Sequence, residues 1–91
     1  MRVTSEYAVG SEPDVLAFDP RLQRLYVASE SGVVTAFSEL AGRLKVLGTY
    51  TAPGAHSVAV NPVTQEVYLP LANIGGRPVL RILVPADSLR Q

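Results

Sequence analysis

The chain repeats itself with a shift of 42 residues, and this repeat constrains the fold more than any other feature. The segment from Asp14 to Ser29 aligns without gaps with the segment from His56 to Leu71. Four aligned pairs are identical: Ala17/Ala59, Pro20/Pro62, Gln23/Gln65 and Tyr26/Tyr68. Five more are close substitutions: Leu16/Val58, Phe18/Val60, Asp19/Asn61, Leu25/Val67 and Val27/Leu69. A period near 40 residues is typical of architectures in which each repeat buries its apolar face against a neighbour.

Short apolar runs between turn residues predict strands throughout the chain. The seven prolines would interrupt any long helix. Asp19-Pro20 and Asn61-Pro62 predict turns, and Pro70 predicts a bulge or a strand end. The predicted strands are Val3–Val9, Val15–Phe18, Leu25–Ala28, Val33–Phe37, Leu44–Thr51, Ser57–Val60, Val67–Leu69 and Val79–Val84.

Composition excludes several classes of function. The chain has 91 residues with eight basic and eight acidic side chains, so no basic field favours nucleic acid. There is no cysteine, which excludes disulfides and thiolate metal sites, and we expect no cofactor and no membrane partner. The first residues lack the apolar region of a signal peptide. We expect a cytoplasmic protein if the chain is complete, and a periplasmic or extracellular one if it is a fragment or has lost a leader.

The repeat and the order of the strands predict an all-β fold made of β-propeller blades. Each of two four-stranded antiparallel blades would run from an inner to an outer strand. Residues 13–51 would form blade one, and residues 55–85 would form blade two without its own outer strand. Residues 1–9 would be an outer strand that completes a blade, and residues 86–91 a tail. The whole of 1–91 is then a single propeller unit.

The segment Asp19-Pro20, Leu25–Ser29 and Gly32–Phe37 resembles the YVTN family of β-propeller repeats. The segment from Gly54 to Val79 resembles the last blade of such bacterial propellers. The resemblance implies a binding or scaffold propeller without a shared catalytic set, in a family whose members are often extracytoplasmic.

Two blades alone would leave apolar blade faces in water. Each residue such as Leu16, Phe18, Val58 or Val60 would lose about 1.5–3 kcal/mol if left exposed, and whole domains are stable by only about 5–15 kcal/mol. We therefore expect a homo-oligomer, in which copies assemble head-to-tail into a closed ring of six or eight blades. The alternatives are a fragment of a longer seven- or eight-bladed propeller and a purely structural self-assembling module.

Candidate ligand-binding residues lie in loops that the strand order places on one face: Gly10–Pro13, Ser29–Gly32, Pro53–Ala55 and Leu71–Pro78. His56 is the only histidine and occupies the repeat position of Asp14. For His56 a residue that caps a turn or bonds a neighbouring backbone is favoured over a ligand, and for Arg77 a solvated side chain or one paired with a surface acid is favoured over an anion contact. We expect no catalytic residues and no metal site, and an enzyme or an electron-transfer accessory ranks last because no acid/base cluster is present. The candidates are Asp14, His56, Asn73, Arg77 and Glu30.

Overall fold

The computed structural model describes residues 2–55 and 57–85, which form two antiparallel β-sheets and, within these ranges, no helix. The all-β class predicted from the sequence is therefore confirmed. The first sheet has the order β1 (Pro13–Asp19), β2 (Arg24–Ser29), β3 (Val33–Leu40) and β4 (Arg43–Thr51). The second sheet has the order β5 (Ala59–Val60), β6 (Val67–Ile74) and β7 (Arg77–Leu83).

The turns after β1 and β5 are built in the same way. Asp19 Oδ1 accepts hydrogen bonds from the backbone N–H groups of Arg21 at 2.9 Å and Leu22 at 3.4 Å. Asn61 Oδ1 accepts from Val63 at 2.9 Å and Thr64 at 3.3 Å. A short side chain that accepts from the backbone ahead of it fixes a turn. The predicted Asp-Pro and Asn-Pro turns are confirmed.

The strand predicted over Val3–Val9 is not formed in the single chain. Residues 2–9 are exposed and pair with no strand. A strand exists only where a neighbouring edge takes its backbone hydrogen bonds, and among the described residues no edge of either sheet pairs with this segment. Whether residues 1–9 complete a blade of another copy stays a prediction.

Pro70 lies inside a strand, and the bulge predicted at this residue is displaced. β6 continues to Ile74, and Pro70 is paired with Leu80 of β7. The register shift falls between Leu71 and Ile74. The ladder between β5 and β6 contains only the pairs Ala59↔Tyr68 and Val60↔Val67. Since this ladder ends before Pro70, the missing N–H of the proline interrupts no pairing with β5.

The core lies between the two sheets. Side chains alternate across a strand, so each sheet turns one set of apolar residues towards the other sheet and a second set away from it. β1 and β5 are the two strands of different sheets whose backbones approach each other. Farther out, Arg81 Nη1 on β7 donates to Tyr50 Oη on β4 at 3.2 Å. The buried cluster contains Tyr26, Ala28, Val34, Ala52, Ala55, Val58, Val67, Leu69 and Leu71.

We expect Leu69→Ala to lower the free energy of unfolding by about 2–5 kcal/mol, because Leu69 is fully buried between the sheets and the change leaves a cavity. Leu40→Ala is the matched control, since Leu40 is 70% exposed. Denaturant unfolding at one protein concentration measures both. Equal losses in the two variants would contradict this location of the core.

Candidate functional site

The loops at one end of the two sheets are joined by backbone hydrogen bonds. Glu30 N–H donates to Glu12 C=O at 2.9 Å across the start of β1 and the β2–β3 turn. Ala52 N–H donates to Gly32 C=O at 2.7 Å, and Ala72 N–H donates to Gly54 C=O at 3.3 Å. These bonds run from one loop to the next across both sheets. The four predicted loops therefore lie at one end of the molecule, which we call the loop end, but most of the predicted loop Leu71–Pro78 is strand and belongs to β6 and β7.

Four of the five candidate residues are exposed side chains at the loop end. Asp14 lies on β1 where the pairing with β2 shifts register between Pro13 and Val15. Glu30 lies in the β2–β3 turn. The fifth candidate, His56, lies outside the described residues. Its proposed role at the mouth of an axis therefore stays a prediction.

The other two candidates share the β6–β7 hairpin. Asn73 Oδ1 accepts from Gly76 N–H at 2.8 Å, which closes the turn. Arg77 begins β7 opposite Ile74, with its side chain in solvent. The structure thus brings Asn73 and Arg77 together on one hairpin and Asp14 and Glu30 together on the first sheet. In the part of the chain that the structure describes, no three His, Asp or Glu side chains are grouped as a metal site.

Tight packing beneath the loop end was not visible in the sequence. A Cβ atom added to Gly10 would lie 2.8 Å from Ser29 Oγ and 3.2 Å from Ser31 Oγ. Ser29 is fully buried, and its Oγ has no hydrogen-bond partner among the described residues. Gly10 therefore brings the segment before β1 directly onto the end of β2. The contact positions the backbone that carries Glu12 and Asp14.

The N-terminal segment, residues 2–9, is attached to the first sheet through Tyr7. The ring of Tyr7 contacts Phe37 edge-to-face, with 5.9 Å between the ring centroids. Leu44 N–H donates to Tyr7 Oη at 3.1 Å. This hydrogen bond lowers the pKa of the Tyr7 phenol, and a hydrogen bond with the Ser5 side chain lowers it further. Loss of hydration raises the pKa and opposes this shift, whereas the positive charge of Arg43 lowers it.

Each sheet also has an outer face, meaning the face turned away from the core. On the first sheet this face includes Leu16, 64% exposed, and Phe18, 43% exposed, which stand opposite Val27 and Leu25. Exposed apolar residues that form a contiguous patch mark an interaction surface more often than isolated ones do.

The outer face of the second sheet is apolar as well. Tyr68 stands opposite Ile82 and Pro70 opposite Leu80, and Leu80 and Ile82 are 60% and 50% exposed. No periodicity within one strand separates these outer faces from the core, because both faces of each sheet are apolar. The molecule therefore has two apolar surfaces at opposite ends of the sheet stack.

Comparison with known proteins assigns the chain to no family, so its fold alone describes the class of protein. No family model, no curated protein and no solved structure matches the chain. No helix among the described residues is long and apolar enough to cross a membrane. Fold and site together define an all-β protein of two face-packed antiparallel sheets, with a polar loop end and two apolar outer faces.

We expect Gly10→Ala to lower the free energy of unfolding by about 1–3 kcal/mol, because the added methyl group overlaps buried Ser29. Gly48→Ala is the control, since a Cβ atom at Gly48 meets nothing within 4 Å. Thermal unfolding of both variants provides the measurement. A Gly10→Ala protein as stable as Gly48→Ala would contradict the close packing of Gly10 on Ser29.

We expect Tyr7 to ionise below the ordinary tyrosine pKa of 10.0, because its phenolic oxygen accepts the Leu44 N–H. Since the folded pKa is the lower one, the resulting stabilisation is fully present above about pH 10 and is lost as pH falls through the folded pKa. The difference in ultraviolet absorbance between the wild type and Tyr7→Phe during alkaline titration isolates this group. A difference curve centred at or above 10.0 would contradict the contact.

Proposed function

We propose that this chain is a β-propeller unit of the YVTN-like kind, which assembles head-to-tail through the outer faces of its two sheets. Three or four copies would form a closed ring of six or eight blades. The ring would act as a non-enzymatic binding scaffold that presents the loop ends of all copies on one side. A heterologous contact of this kind closes when its rotation divides the circle.

The observation that carries the proposal is that the repeat relates a buried face to an exposed one. Val58, on the core side of the second sheet, is 4% exposed, whereas its repeat equivalent Leu16 is 64% exposed. Phe18, equivalent to the half-buried Val60, is 43% exposed. The outer face of the first sheet thus carries the residue pattern that the second sheet uses to pack against the first.

The same relation holds in the opposite direction. Ala17 and Tyr26 belong to the face of the first sheet that packs against the second. Their identical repeat equivalents, Ala59 and Tyr68, lie on the outer face of the second sheet. An outer second-sheet face placed on the outer first-sheet face of another copy would therefore reproduce the packing already present within one chain.

Burial energetics favour this contact. The two outer faces expose Leu16, Phe18, Leu80 and Ile82 among other residues. Burial of each is worth about 1.5–3 kcal/mol, which is large beside the net stability of a small domain, about 5–15 kcal/mol. Additional blades of a longer chain would cover the same faces and are the alternative to a ring of copies. Both arrangements use the same surfaces, and they differ in mass.

The loop end favours a binding role over catalysis. Four exposed polar residues lie in turns or near strand ends: Asp14, Glu30, Asn73 and Arg77. A ring would repeat them around its axis. Convergent polar groups supplied by several copies suit recognition of a protein or a small polar molecule. The second candidate function is a purely structural module, in which the outer faces alone are used.

We expect light scattering of the wild-type chain to give the mass of three or four copies. Leu16→Glu should reduce this to the monomer, because it places a charge in the proposed contact. Leu40→Glu is the matched control, since Leu40 is 70% exposed but lies at the end of β3, on the opposite side of the first sheet from Leu16.

A wild-type chain that is folded, monodisperse and monomeric would contradict the ring. Equal loss of assembly in Leu16→Glu and Leu40→Glu would contradict the outer face of the first sheet as the contact.

A further inference from the structure

The second sheet lacks a counterpart of β4. The first sheet ends in β4, whereas the second ends in β7, which pairs only with β6 in the described chain. Residues 3–9 resemble β4 with a shift of 43 residues, which places Val3 over Val46 and Tyr7 over Tyr50. The segment that resembles a fourth strand is therefore one that pairs with no strand among the described residues of its own chain.

The position of Tyr7 repeats that of Tyr50. Phe37 and Leu83 are structurally equivalent, because they stand opposite the repeat partners Leu25 and Val67. Tyr7 packs on Phe37, on the outer face of the first sheet. Tyr50 and Leu83 line one groove between the sheets. Residues 2–9 thus approach the first sheet much as β4 approaches the second sheet. If the second sheet of a preceding copy packed on the outer face of the first sheet, its fourth strand would lie where residues 2–9 lie.

The ladder of the first sheet supplies the register of this missing pairing. β3 pairs with β4 through Thr35↔Thr49 and Val34↔Tyr50. On β7 the equivalent of Thr35 is Arg81, because Val27↔Thr35 corresponds to Leu69↔Arg81. In the N-terminal segment, the shift of 43 residues makes Glu6 the equivalent of Thr49. Antiparallel pairing in this register places Glu6 directly opposite Arg81.

We propose that the N-terminal segment of one copy adds to β7 of the preceding copy as a fourth antiparallel strand, with Glu6 paired to Arg81. This inference rests on the proposed ring and names the residues that join its members. The opposite charges support the register, since directly opposed unlike charges stabilise a strand pair and like charges destabilise it.

The surroundings of Arg81 suit a carboxylate. Its Nη1 donates to Tyr50 Oη at 3.2 Å. The side chain is half-buried beside a groove of about 650 Å³ that opens between β4 and the end of β7. Leu47, Val67 and Leu83 line this groove. A strand added to β7 would cover the groove and reduce the exposure of the ion pair to water.

Charge reversal tests the pairing. We expect Glu6→Arg and Arg81→Glu each to raise the protein concentration at which half of the ring dissociates by tenfold or more, as measured by light scattering across a dilution series. The double variant Glu6→Arg/Arg81→Glu should recover wild-type dissociation, because the opposite charges are restored. Unfolding transitions confirm that each variant is folded, and Arg81→Gln replaces Arg81→Glu if the latter does not fold.

A matched control uses the same strand. Glu6→Arg combined with Arg77→Glu should show no recovery, since Arg77 lies at the other end of β7. An equimolar mixture of the two single variants separates contact between copies from contact within one copy. It should assemble better than either variant alone, because most or all contacts of such a ring then join complementary charges.

The possible results are distinct. A monomeric wild type would overturn the ring and, with it, this pairing. A ring that forms but is unaffected by either reversal, or that recovers in the Arg77→Glu combination, would overturn the pairing alone. Recovery in the double variant without recovery in the mixture would also overturn it, because the pair would then lie within one copy.

Discussion

Both sheets of this protein have apolar residues on both faces, and the packing of the structure depends on this constraint. A strand that alternates apolar and polar residues can leave one face in water. β2 instead carries Tyr26 and Ala28 towards the second sheet and Leu25 and Val27 away from it. Packing one sheet on the other satisfies only half of this requirement. On the outer faces Leu16, Phe18, Leu80 and Ile82 stay exposed, whereas Tyr7 of the N-terminal segment packs on Phe37.

Local signals in the sequence predicted the strands well because their physical causes are local. Asp19 and Asn61 accept hydrogen bonds from the residues directly after them, so the turns are determined within four residues. The segment at Val3–Val9 has equally good strand character but forms no strand, because in the described chain it pairs with no edge of either sheet. Pro70 shows the same limit, since the effect of a proline depends on which neighbouring strand reaches it.

The candidate site likewise has features that the sequence predicted and features that only the structure shows. Strand direction alone predicted that the four loops lie at one end, and the backbone bonds from Glu30, Ala52 and Ala72 agree. The contact of Gly10 with Ser29 joins residues on different elements and leaves no pattern in the sequence. The outer faces were predictable only in part. The repeat identified Leu16 with Val58, but the structure was needed to show that one is exposed and the other buried.

The repeat is imperfect at the position where specificity between separate chains would be needed. Within the chain, the third and fourth strands of the first sheet face each other through the neutral pair Thr35 and Thr49. Strands joined by a short turn need no further selection of partner or register. Two strands from different molecules need such selection of partner and register. Opposite charges provide this selection because mismatched pairing is penalised. In the proposed pairing Glu6 and Arg81 would replace that threonine pair, which is the change expected where two strands come from different molecules.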